Sequence, residues 1–327
     1  MIMGQWGIIM KHINVMYTVD KNYFNYMLVS IYSFLENNKD IKTTFHIICD
    51  GLELDDYNRI ERIINSFNNA NIYFYDFKPI KDLIIKYDIP KWNNSYVSDA
   101  RLFFSTCIKD IDNLLYLDSD TISVDSISGL SKYTGTIHMV KDSMPTNHWK
   151  NLDCELSSYY NSGVLWINID KWNNNNCYEK IIKSLENKVN YTFPDQDLLN
   201  ISLKDDIEEL PPNYDLFSTD AYFHLPVLYK YYSKCGISRY SIKEMKNAKT
   251  NPIILHSTPF YSWRGWEKDS IHPYKKYYEE YFEKMGLDLI DNKDNIAPNE
   301  YLYRIRLYMR LMCLDDLKSK VKEYIKK

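Results

Sequence analysis

Residues 13–19 form a nearly unbroken apolar run that stops at Asp20, the pattern of a strand buried on both faces. Phe24, Met27, Leu28, Ile31, Phe34 and Leu35 then recur at three- and four-residue spacing, which predicts an amphipathic helix with Asn22 as its cap. The alternation repeats. A strand is expected over 44–49, then a helix through Leu54, Tyr57, Ile60, Ile63, Ile64 and Phe67, and a strand over 72–77. A helical stretch over 98–108 leads into a short strand that ends at Asp118. Beyond it, 163–169 reads as a strand, Lys171-Trp172 as the opening of a turn, and the chain from about Asn173 as helix. Residues 204–214, charged and then broken by proline, read as a loop, and 252–256 as a late short strand. Such strand–helix alternation predicts an α/β fold with a mostly parallel central sheet flanked by helices. From residue 274 the character changes, and 274–282 and 301–314 predict amphipathic helices that form a C-terminal helical appendage.

Composition narrows the class. A chain of 327 residues can bury a sizeable core, and a net charge of −4 gives no basic surplus for nucleic acid. The six cysteines are scattered without zinc-ligand or C-x-x-C spacing, which favours a reducing, cytoplasmic setting. No segment approaches the ~20 apolar residues of a membrane span, and residues 1–10 make a poor leader peptide. Arg304, Arg306 and Arg310 lie among Tyr301, Tyr303, Ile305, Leu307, Tyr308 and Met309. That mixture suits either a helix packed on the main body or a peripheral contact with the inner face of a membrane.

The chemistry is concentrated at strand ends. Leu114-Leu115-Tyr116-Leu117 runs into Asp118-Ser119-Asp120. Residues i and i+2 of an extended chain share a face, so the two carboxylates can converge on one point. Their mutual repulsion is relieved by a hard divalent cation, Mn²⁺ or Mg²⁺, whose remaining ligands include phosphate oxygens; a solvated strand-end turn is the plain alternative. Thr18-Val19-Asp20-Lys21-Asn22-Tyr23 offers a carboxylate for a pyrimidine imide and a ring to stack on the base. Arg101 can brace a diphosphate or sugar hydroxyl. Asn161-Ser162-Gly163 precedes the next strand, Asp195-Gln196-Asp197 opens a helix, and His256 ends the late strand as a possible third ligand beside two carboxylates. Asp118-Ser119-Asp120-Thr121 also loosely matches the nucleophile loop of HAD-type phosphatases, but that loop belongs on a first strand and needs a later Gly-Asp, which the chain lacks.

In this order the segments resemble glycosyltransferase family 8, the retaining enzymes that include bacterial lipopolysaccharide galactosyl- and glucosyltransferases. The resemblance runs from about Ile13 to Trp266 and includes the Asp-x-Asp motif at Asp118 and Asp120. It implies a GT-A fold, a Rossmann-like sheet binding UDP beside a smaller acceptor subsite. The expected division is 1–270 for the catalytic domain, with 12–125 binding nucleotide-sugar and 126–270 facing the acceptor, and 271–327 for the C-terminal helices. It implies that Asp118, Asp120 and His256 hold the metal, and that Thr18, Asp20, Asn22, Tyr23 and Ser119 belong to the nucleotide site. Arg101, Asn161, Asp195 and Gln196 would hold the donor sugar, with Asp195, Asp197 and Gln196 nearest the transfer chemistry. The implied reaction moves glucose or galactose from UDP to a saccharide acceptor, lipid-linked or part of a surface glycan; a catalytically weak nucleotide-sugar binder is the alternative. One departure stands out. The family's Lys-Pro-Trp after the metal histidine is missing; Arg264 and Lys268 are the nearby cations, neither in register, and Arg264 is the expected substitute on the diphosphate.

Overall fold

The computed structural model describes residues 10–145, 148, 152, 156–187, 191–258, 264–268, 270 and 272–290. The predicted helix over 301–314 lies outside them. Strand β1 (His12–Asp20) leads through α1 (Phe24–Asn37) to β2 (Lys42–Asp50), α2 (Leu54–Asn65), β3 (Ala70–Asp76) and α3 (Lys78–Lys86). Two 3₁₀ turns, Val97–Leu102 and Phe104–Thr106, precede β4 (Asn113–Leu117), β5 (Thr121–Ser123) and β6 (Ile137–Met139). Then come β7 (Val164–Asn168), α4 (Ile169–Asn174), α5 (Cys177–Glu186) and α6 (Pro194–Ser202). The described chain continues through β8 (Ile207–Glu209), β9 (Leu216–Phe217), α7 (Ser218–Tyr222), α8 (Leu225–Cys235), α9 (Ile242–Thr250), β10 (Ile254–His256) and α10 (Lys275–Lys284).

The main sheet has seven strands in the order β3-β2-β1-β4-β7-β6-β8. Every described pairing is parallel except those of β7, which runs against both β4 and β6. Chain order reverses between β1 and β4, the position where open α/β sheets leave a crevice at their carboxyl ends. Ile13, Val15, Tyr17 and Val19 on one face of β1 are fully buried against the α1–α2 layer. Met16 and Ile48 on the other face join a second core with Leu114, Tyr116, Trp172 and Ile181.

A three-stranded sheet, β5-β10-β9, stands beside the carboxyl ends of β1 and β4. It aligns His256 with Thr121 on one side and Phe217 on the other. Helix α1 anchors it with buried serines. Ser30 Oγ lies 3.2 Å from Thr121 Oγ1 and 2.8 Å from Tyr17 Oη, while Ser33 Oγ accepts from Ser123 N at 3.0 Å. The Asp-x-Asp turn is thereby clamped between both sheets.

Several elements differ from the sequence reading, each for a local reason. The expected helix over 98–108 is two 3₁₀ turns, because Arg101 Nε, Thr106 Oγ1 and Cys107 Sγ each donate to the carbonyl three residues back and draw it from the helical ladder. Asn22 does not cap α1; Asp20 Oδ1 accepts from Asn22 N at 3.0 Å and Tyr23 N at 3.3 Å instead. Helix α3 was not anticipated, though Pro79 near its start and Ile80 and Ile84 on one buried face mark it. The turn expected at Lys171-Trp172 is α4, capped by Asn168 Oδ1 accepting from Lys171 N at 2.9 Å. Part of the 204–214 loop is β8, an acidic edge strand formed by pairing with β6.

Candidate active site

The crevice at the carboxyl ends is a cavity of about 760 Å³, within the range of small-molecule sites. Its metal-binding candidates meet at its base. Single donor atoms from Asp118, Asp120 and His256 lie within 4.8 Å of one another. His256 Nε2 is 3.2 Å from Asp120 Oδ1 and 3.8 Å from Asp118 Oδ2. Two carboxylates and one imidazole suit Mn²⁺ or Mg²⁺. The other ring nitrogen, Nδ1, bonds at 2.9 Å to Asp215 Oδ1, a fully buried carboxylate that sequence reading missed. Such a partner fixes the tautomer that presents Nε2 to an ion. Burial alone would lower the His256 pKa, but Asp215 and then Asp120 outweigh it and hold the ring well above its ordinary value. A proton and a cation thus compete for Nε2.

Gly163 shows how closely this base is built. A Cβ there would stand 2.3 Å from His256 Cε1, 2.8 Å from Asp118 Oδ2 and 2.9 Å from Asn161 Oδ1. Only glycine allows the backbone so near the cluster, and its carbonyl accepts from Asp118 N at 2.8 Å.

Toward β1, Asp20, Asn22 and Tyr23 line the cleft with Thr18 and Ser119. Asp20 Oδ2 accepts from Ser95 Oγ at 3.0 Å. Arg264 enters this side from the opposite wall. Its Nη1 donates to Asp120 Oδ2 at 3.2 Å, its Nη2 to Tyr23 Oη at 3.4 Å, and its guanidinium lies 5.0 Å from the Trp266 ring centre.

Toward α6, Arg101 is the organiser. Nη2 donates to Asp118 Oδ1 at 2.6 Å, Nη1 to the Ser162 carbonyl at 2.6 Å, and Nε lies 3.1 Å from Asp195 Oδ2. Its plane rests 4.3 Å from the Tyr116 ring centre, and Tyr116 Oη also donates to Asp118 Oδ1, at 2.6 Å. Arg101 is 3% exposed, so it acts by orienting these carboxylates more than by meeting solvent. Asp195 also accepts from Ser162 Oγ at 2.9 Å. Burial raises its pKa and Arg101 opposes the rise.

Gln196 Oε1 accepts from Asn161 Nδ2 at 3.1 Å and Ser162 N at 3.2 Å. Both amide groups also donate to Asp142 Oδ2, at 2.8 Å from Asn161 and 3.2 Å from Gln196. Asp142 was not singled out from sequence. Its signal was the same as that of Asp118, a carboxylate just beyond an apolar strand, here residues 137–140. Asp197 is the one expected site residue that does not line the cleft. It is fully buried and accepts from His148 Nε2 at 2.7 Å, Thr192 N at 2.8 Å, Phe193 N at 2.9 Å and Tyr159 Oη. Successive helical residues point about 100° apart; with Asp195 and Gln196 on the cleft, Asp197 turns into the helix start.

At the switch point of this sheet, Asp118 and Asp120 with His256 make an acidic, histidine-completed cluster. The family model described as "Glycosyl transferase family 8" matches residues 14–267, and the chain belongs to that family. It is 29% identical over 282 residues to lipopolysaccharide 1,2-glucosyltransferase of Escherichia coli K12, across 82% of this chain and 76% of that one. A second lipopolysaccharide 1,2-glucosyltransferase of Escherichia coli is 32% identical over 220 residues, a match spanning 63% of each chain and so just under two thirds of that relative. The crystal structure of galactosyltransferase LgtC with donor and acceptor sugar analogs shares the fold with a TM-score of 0.64, at 20% identity, covering 86% of this chain and 98% of that one.

Among the described residues no helix is long and apolar enough to cross a membrane.

Proposed function

We propose that the chain transfers glucose or galactose from its UDP conjugate to a saccharide acceptor, with a divalent cation at Asp118, Asp120 and His256 and with retention at the anomeric carbon. The observation that carries this reading is the convergence, within 4.8 Å, of three donor atoms from residues 118, 120 and 256 at the base of the cleft. The donor set fits a hard cation, and Gly163 clears the space beside it. When bound, the ion would act as a Lewis acid on the diphosphate and stabilise the charge of departing UDP.

The remaining steps belong to the protein. Asp20 keeps acceptor capacity for the uracil imide, and Tyr23 presents a ring to the base. Arg264 adds positive charge where the diphosphate would gain it, which is where a fixed charge contributes most. Asn161, Gln196 and Asp142 form a preset amide–carboxylate array for sugar hydroxyls.

Retention needs either an enzyme nucleophile or attack from the face that UDP leaves. Asp195 is held by Arg101 and by the Ser162 hydroxyl, which blunts it as a nucleophile. That favours the front-face route. The acceptor oxygen bonds to the anomeric carbon while the bond to the phosphate oxygen breaks, and the hydroxyl proton passes to the departing diphosphate.

Calorimetric titration of UDP into the full chain, with and without Mn²⁺, tests the reading. Mn²⁺-dependent binding that is lost in Asp120→Asn supports it; no binding by folded protein in either condition overturns it. A UDP-glucose and UDP-galactose turnover panel then identifies the donor.

A further inference from the structure

One face of the main sheet is finished only over its carboxyl half. On β1 the buried side chains at 13, 15, 17 and 19 are all apolar, but on the other face His12 and Asn14 precede Met16. On β2 Lys42, Thr44 and His46 precede Ile48, and the edge strand β3 adds Tyr73 and Tyr75. A sheet face covered by helices is apolar along its length. This half is polar and aromatic, and among the described residues no helix covers it. The groove there has a volume of about 600 Å³ and is walled by Cys107 and residues 109–112. It lies at the amino ends of the strands, away from the catalytic cleft.

Its floor is a fixed array of rings. His46 lies 5.8 Å from Tyr73 and 5.8 Å from Tyr75, with interplanar angles of 23° and 27°. Both imidazole nitrogens are held, Nδ1 by Tyr75 Oη at 2.9 Å and Nε2 by Asn14 Oδ1 at 3.1 Å. Tyr73 leaves 58% of its surface to solvent, a large flat apolar face on an otherwise polar rim. His12 Nε2 and Thr44 Oγ1, 3.0 Å apart, form one side of that rim, and Asp110 and Asp112 form the other. Lys109, the one lysine among the groove's lining residues, already donates to the Ser105 carbonyl, and Lys42 stands beyond the lining at the start of β2. Burial pushes His46 down to about 4, so the floor carries no charge near neutral pH. With two carboxylates and one engaged ammonium, the groove disfavours phosphate and sulfate.

We propose that this groove is a second saccharide site, which takes a short neutral glycan whose pyranose face lies on Tyr73 while its hydroxyls bond to the polar rim. Aromatic contact supplies affinity and the alternating donors and acceptors supply orientation. The site stands apart from the transfer reaction and needs neither metal nor nucleotide.

Saturation-transfer NMR with cellobiose, lactose and maltose tests it on the full chain. Tyr73→Ala should weaken the response by about twofold to tenfold in affinity, while Tyr73→Phe, which keeps the ring, should match the unsubstituted protein. Tyr73 is exposed and distant from the cleft, so unchanged UDP-sugar turnover in Tyr73→Ala serves as the folding control. Equal responses from Tyr73→Ala and the unsubstituted protein, or no saturation transfer to any of these sugars, overturn the site. A stronger response to 3′-sulfated lactose than to lactose overturns its neutral-ligand assignment.

Discussion

The guanidinium of Arg264 spans the gap between Asp120 and Tyr23, so it touches both the metal cluster and the nucleotide wall. If it braces the diphosphate in place of the absent lysine, Arg264→Ala should weaken Mn²⁺-dependent UDP binding by about 10- to 150-fold, the range of a lost charged hydrogen bond. Arg264→Lys should recover part of it, since a lysine keeps the charge but not the two-pronged reach. Calorimetry on both variants checks this, and equal affinities for Arg264→Ala and the unsubstituted protein would refute it. Asp215 acts one bond further out. Asp215→Asn should reduce Mn²⁺ affinity about 10- to 100-fold by releasing the His256 ring, measured by electron paramagnetic resonance of free Mn²⁺ with the melting temperature as a control.

At the scale of elements, Asp197 and Gly163 make opposite cases. Asp197 looked catalytic because it sits two residues from Asp195, yet its oxygens close the start of α6. Asp197→Ala should therefore cost about 1–3 kcal/mol of stability in urea unfolding and leave Mn²⁺ affinity unchanged. Gly163→Ala should do the reverse of a surface change. Its methyl would collide with His256 and Asp118, so metal binding should fail even where circular dichroism reports a folded sheet. These two positions also show why the sequence was only partly readable. Strands β1, β2 and β4 are marked by largely apolar runs, and the two-residue periodicity of an extended chain puts Asp118 and Asp120 on one face. Orientation around a helix start, as at Asp197, depends on where α6 docks. The turns at 97–106 and the edge strand β8 depend on bonds to distant or competing partners, which local pattern does not carry. Asp142 carried the same strand-end signal as Asp118, whereas Asp215 lies in an irregular stretch and only the sheet's assembly brings it to His256.

Across the whole molecule, a second buried ion pair supports the wall behind the cleft. Arg239 and Asp220 are 1% and 0% exposed as side chains, Tyr232 Oη donates to Asp220 Oδ1 at 2.8 Å, and the guanidinium rests 4.9 Å from the Phe217 ring centre. Phe217 is the residue that β9 aligns with His256. Arg239→Leu leaves a buried carboxylate without its partner and should cost about 3–5 kcal/mol, read as a lower urea midpoint. The reversed strand β7 has a different kind of consequence. Because it runs against its neighbours, the cleft receives its beginning, and three consecutive residues, Asn161, Ser162 and Gly163, join the amide array to the metal cluster. Ser162 and Gly163 bend there, and Gly163 N donates to Asn161 Oδ1 at 2.8 Å, so one tight covalent turn sets the two halves side by side. On the proposed reading it works as a caliper. A donor with one phosphate more or fewer would find its sugar out of step with Gln196.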